Sequence, residues 1–121
     1  MTLSVHCYVW REDTEEWQQV EWSNHLGCHL AGFESTRQDL WGADVMKSLG
    51  LTILPSLDGA NIQVSGDELD QLENEILVIR ANLELVLENV RYDQQMIMQR
   101  TQNFLDAIAK AREVGGYVVI S

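Results

Sequence analysis

Between Gly66 and Gly115 the chain contains neither glycine nor proline, and no other feature narrows its possible folds as far. Glycine weakens a helix through its backbone entropy, and proline breaks one through its missing N–H. An unbroken helix over residues 67–114 would be ~72 Å long at about 1.5 Å per residue. A single domain of this chain length has a radius of gyration near ~14 Å. The span must fold back on itself, and a break near Asn89–Asp93 predicts an antiparallel helix pair.

The first helix starts with a clear signal. Ser65-Gly66-Asp67-Glu68 reads as a capping box, with Val64 able to staple onto Leu69. Asp67 and Glu68 add negative charge at the positive end of the helix dipole. Leu69, Leu72, Ile76, Ile79, Leu83, Val86 and Val90 follow at steps of three and four. Such a stripe is either a homodimer seam or a face buried within the fold. Leu77, Val78 and Leu85 fall off the stripe, which favours a central helix buried on more than one side. A second stripe, Ile97, Thr101, Phe104, Ile108 and Ala111, leads through Gly115-Gly116 to a last strand, Tyr117–Ile120.

The first half has a different texture and holds all four tryptophans. Leu3–Trp10 alternates as a strand, with Leu3, Val5, Cys7 and Val9 on one face and His6, Tyr8 and Trp10 on the other. After a polar loop, Trp17–Trp22 reads as the return strand of a hairpin, while Asp13 with Glu16 also resembles a capping box and leaves a short helix as the alternative. Residues 23–34 are ambiguous. Ser35 and Gln38 suggest a capping box for a helix over about 36–49, closed by Gly50. Leu51–Leu54 and Ile62–Val64 are short strand candidates. The expected fold is a single α+β domain over residues 1–121. It comprises a small, mostly antiparallel sheet containing the N- and C-terminal strands, packed against the helix pair.

Nineteen acidic residues face eight basic ones, for a net charge of −11. The excess is spread along the chain and no basic stripe exists, so nucleic-acid binding would lack its main driving force. A basic protein partner suits this charge better. No segment approaches the ~20 apolar residues of a membrane span, and Met1–His6 lacks the basic region of a signal peptide. A cytoplasmic location is the expectation.

Chemistry-bearing motifs are sparse. His25, Cys28 and His29, with His6 as a possible fourth member, form the candidate metal set. On a helix the first three would share a face and offer imidazole and thiolate to a metal such as zinc, but on a strand Cys28 would point away from both His25 and His29. The same residues are the only candidates for a thiol enzyme, and Cys7 sits on an apolar strand face. Glu84 and Glu88 lack the Glu-x-x-His partner of a di-metal bundle. No phosphate-cradling, nucleotide-binding or nucleophile-elbow motif is present, so no cofactor is expected.

Tyr8, Trp10, Trp17, Trp22 and Trp41 remain as interface candidates, because tryptophan is a preferred anchor of protein interfaces. The leading expectation is a non-enzymatic acidic domain that binds another protein. A homodimer formed through Leu69–Val90 is the alternative, and a metal- or thiol-dependent enzyme is the third.

The run Ala31-Gly32-Phe33-Glu34-Ser35, with Leu40-Trp41-Gly42 and Leu49-Gly50-Leu51, resembles small acidic bacterial proteins of unassigned function. The ending Asn103–Ile108, followed by Gly115-Gly116 and Tyr117–Ile120, is similar to theirs too. Some of that group look like immunity proteins that neutralise a co-encoded toxin. The resemblance spans about residues 31–120 and transfers no functional residue.

Overall fold

The computed structural model describes residues 2–22 and 27–121. Among these residues there are five strands, β1 (Thr2–Arg11), β2 (Glu16–Val20), β3 (Leu30–Phe33), β4 (Ile62–Val64) and β5 (Tyr117–Ile120). Four α-helices accompany them: α1 (Asp44–Ser48), α2 (Asp67–Ala81), α3 (Leu83–Asn89) and α4 (Gln94–Val114). The fold is α+β, as expected.

All strand pairings are antiparallel, in the order β2-β1-β5-β4. β3 pairs with the first residues of β1 through a register shift at Leu3/Ser4. The long first strand is therefore the spine of the sheet. At its join with β5, Gly116 lies so close to Tyr8 that an added Cβ would sit 2.4 Å from the Tyr8 carbonyl oxygen. Only glycine permits that approach.

Leu3, Val5, Cys7, Ile62, Val64, Val118 and Ile120 turn their side chains to one face, where they are buried. α4 covers this face, packing on β1, β3 and β5. α2 lies antiparallel to α4. Arg112, near the end of α4, bonds Asp70 and Glu73 in the early turns of α2. Arg80, near the end of α2, reaches Thr101, Met98 and Gln102.

Five expectations change. The first helix does not run unbroken to Val90 but stops at Asn82, whose backbone leaves helical geometry (φ −120°, ψ 30°). Its side-chain amide donates to the Val78 carbonyl at 2.8 Å, the competition with helix bonding typical of asparagine. The break lets α3 turn toward α1. The capping box at Ser65 does not form; Gly66 takes the cap position at φ 56° without a side-chain cap bond. Glu68 instead donates its backbone N–H to the Ser65 carbonyl.

Residues 36–49 are not one helix. A π-helical turn, Arg37–Trp41, precedes α1. At the junction a Cβ on Gly42 would lie 2.4 Å from the Arg37 carbonyl oxygen. Leu51–Leu54 is no strand, because the backbone N–H groups of Thr52, Ile53 and Leu54 all donate to the Glu75 carboxylate. The chain then enters a 3₁₀ turn, Leu54–Leu57.

The apolar stripe of the first helix is spent inside the fold. Leu69, Leu72, Ile76, Ile79 and Val86 are buried, and Leu83 and Val90 pack partly against the same core. A dimer seam built from these side chains would require the core to open. Nor are the off-stripe positions buried as a central helix would require, because Leu77 on α2 is 50% and Leu85 on α3 43% exposed.

Candidate functional site: the uncovered aromatic face of the sheet

Among the described residues, the helices pack on one face of the sheet and leave Trp10 and Trp17 exposed on the other. Alternation along β1 sends His6, Tyr8 and Trp10 to this side, and strand register sets what each one meets. Trp10 lies opposite Trp17 on β2. Tyr8 lies opposite Gln19 on β2 and Tyr117 on β5. Val119 lies opposite Gln63 on β4.

The rings form a connected series. Trp10 and Trp17 meet edge to face at 5.3 Å between centroids. Trp17 meets Tyr117 at 4.8 Å and 87°, although their strands lie on opposite sides of β1. Trp10 is 44% and Trp17 48% exposed. Exposed tryptophans on two paired strands are a contiguous patch, not a scattered surface residue. Beneath the Trp17–Tyr117 contact lies an open recess of about 250 Å³, lined by Tyr8, Trp17, Gln63, Tyr117 and Val119. A second depression is lined by Trp10, Glu12 and Glu15.

The remaining aromatic candidates lie elsewhere. Trp22 is half-buried at the sheet margin, with its ring 4.5 Å from that of His29. It borders Asp106 and Lys110 of α4. Trp41 has no place on any surface. It is fully buried, donates its indole N–H to the Ala31 carbonyl at 3.0 Å and packs 5.1 Å from the Phe104 ring. Tyr117 was the residue missed: only the pairing of β5 with β1 brings it beside Tyr8, and sequence carries no strand order.

His25 lies outside the described residues. Cys28, His29 and His6 are among the described residues. The His29 ring places Nδ1 3.1 Å from the Val5 carbonyl oxygen and Nε2 2.9 Å from a Glu21 carboxylate oxygen. The His6 ring lies 4.8 Å from that of His29. Burial, reinforced by His29 and opposed by Glu21, holds the His6 pKa below its usual value. Cys28 is buried; desolvation, then Glu21, push its thiol pKa up. Cys7 is fully buried and its thiol is likewise raised by burial. Thiolate formation is disfavoured at both, the reverse of what a nucleophilic or metal-ligating cysteine needs. Among the described residues, no group of three or more His, Cys, Asp or Glu side chains is disposed to hold a metal ion. Among those residues, too, no helix is long and apolar enough to cross a membrane.

No protein-family model matches the chain, and searches of curated proteins and of solved structures gave no match.

Proposed function

We propose that the protein is a non-enzymatic binding domain that engages a basic protein partner through the uncovered face of its sheet. The observation that carries this reading is the exposed Trp10–Trp17 pair, continuous with Tyr8 and Tyr117 and bordered by carboxylates. Large aromatic side chains lose little conformational entropy on binding and fill partner pockets well, which is why interfaces concentrate them. Glu12, Asp13, Glu15, Glu16 and Glu21 flank the patch, with Arg11 the single cation in that stretch. Arg11 is itself engaged, by Gln18 and Asp13. Attraction toward a basic partner would accelerate encounter, and the rings would supply the apolar contact. The resemblance over residues 31–120 favours an immunity-type antagonist as the form this activity takes.

The test is parallel capture from host lysate by wild-type protein and by Trp17→Ala, at low and high salt. A stoichiometric basic partner that salt releases and the variant fails to retain supports the reading. Equal retention by wild type and variant removes the aromatic face from the interaction.

A further inference from the structure

The recess under the Trp17–Tyr117 contact has a chemistry more specific than an apolar patch. Its described lining contains three aromatic rings, one amide and one valine, and no basic side chain. Trp17 and Tyr117 stand almost perpendicular, so they form a corner rather than a flat stack. Aromatic faces are negative at their centres and attract cations. The lining residues Tyr8, Tyr117 and Gln63 also carry hydroxyl and amide groups that can accept as well as donate. An anion would meet no cation there, and a purely apolar group would leave those acceptors without a donor.

We infer that this recess receives the guanidinium of an arginine side chain carried by the basic partner, an inference that rests on the protein-binding reading above. Guanidinium is planar, stacks on aromatic rings, carries five N–H donors and sheds water more readily than ammonium does. The acidic rim supplies the long-range component. Glu12 and Glu15 line the depression adjoining Trp10, so residues flanking the arginine on the partner would also be basic. Arginine places a flat cation in the corner, whereas lysine would bring a compact, strongly hydrated charge that uses fewer of the acceptors.

A titration of the full chain followed by NMR tests the assignment. The probes are the capped peptide Gly-Arg-Gly-Arg-Gly and its lysine and citrulline counterparts. The arginine peptide should shift the Trp17 indole and Tyr117 signals and bind more tightly than the lysine peptide, with the citrulline peptide weakest. Trp17→Ala should weaken arginine-peptide binding roughly tenfold, the scale of a cation–π contact that is partly desolvated. Gln63→Glu, which leaves every ring in place, should tighten it. Lysine or citrulline peptides that bind as well as the arginine peptide would overturn the guanidinium assignment. Shifts confined to Glu12, Glu15, Glu16 and Glu21, with Trp17 and Tyr117 unmoved, would remove the recess while leaving a basic partner in place. Failure of every cationic peptide to bind would sink both the recess and the basic-partner reading.

Discussion

The carboxylate of Glu75, within helix α2, accepts a hydrogen bond from the backbone N–H of Leu54 at 2.9 Å, and both groups are buried. The same carboxylate takes the N–H groups of Thr52 and Ile53 at 3.0 and 2.9 Å. One acidic side chain thus replaces the strand neighbour that Leu51–Leu54 lacks. Glu75→Ala would strand those donors, and each unsatisfied buried group costs about 1–3 kcal/mol. The partial exposure around Thr52 lets water recover some of that loss. We expect destabilisation of roughly 2–4 kcal/mol, read as a lower urea midpoint at unchanged slope. Glu75→Gln keeps an acceptor and should lose less. Equal stability of Glu75→Ala and the wild type would mean the clamp contributes nothing.

Local chemistry made much of this fold legible. Alternation exposed β1, and Gly115-Gly116 marked the end of α4, where Gly115 adopts φ 67°. What stayed hidden depended on partners far along the chain. Glu75 looks like any acidic helix residue until the 52–54 backbone is placed against it. Asn103 is similar: its amide donates to the Gly27 and Leu30 carbonyls and fixes the approach to β3 on α4. The candidate surface was half legible. Trp10 and Trp17 follow from alternation and a hairpin, but Tyr117 and Gln63 join them only through sheet order.

The tryptophans should separate cleanly into two classes. Trp41→Ala empties a fully buried site and breaks the bond to Ala31, so a loss of about 3–5 kcal/mol is expected. Trp17→Ala removes a half-exposed ring and should cost less than about 1 kcal/mol. Thermal melts of the two variants check this directly. A large loss for Trp17→Ala would make the aromatic face part of the stabilising structure and weaken its assignment as a binding surface.

The stripe on the first helix gives a graded series. Ile76→Ala, at a fully buried position of α2, should cost about 2–5 kcal/mol. Leu83 begins α3 beyond the Asn82 break and is only partly buried, so Leu83→Ala should cost less. Neither variant should differ from wild type in how melting depends on protein concentration, since these side chains are used within one chain. A wild-type melting temperature that rises with concentration would restore a self-association role.

Alkylation separates a structural from a chemical role for the two cysteines. Cys7 is fully buried and Cys28 is 4% exposed, and burial raises both thiol pKa values. Native protein at pH 7.5 should therefore resist iodoacetamide over a period in which urea-unfolded protein reacts fully, because the thiolate is the reacting species. Rapid modification of Cys28 in the native state would reopen thiol chemistry at this site.

His6 makes the acid side of the stability curve predictable. Its Nδ1 is buried without a hydrogen-bond partner among the described residues, and desolvation, with help from His29, depresses its pKa below the usual 6.5. Between the folded and unfolded pKa values the unfolded chain holds the extra proton, so stability rises with pH across that window. The contribution is complete above the unfolded value and is lost as pH falls through 6.5 toward the lower folded value. Glu21, which faces this pair through its contact with His29, works in the opposite direction. Replacing His6 with glutamine should flatten the dependence of the urea midpoint on pH between about 7.5 and 5.5 relative to wild type. Glu21→Gln should steepen it by removing a carboxylate that favours protonation. Parallel slopes for wild type and His6→Gln would show that burial of this ring has no effect on its proton affinity.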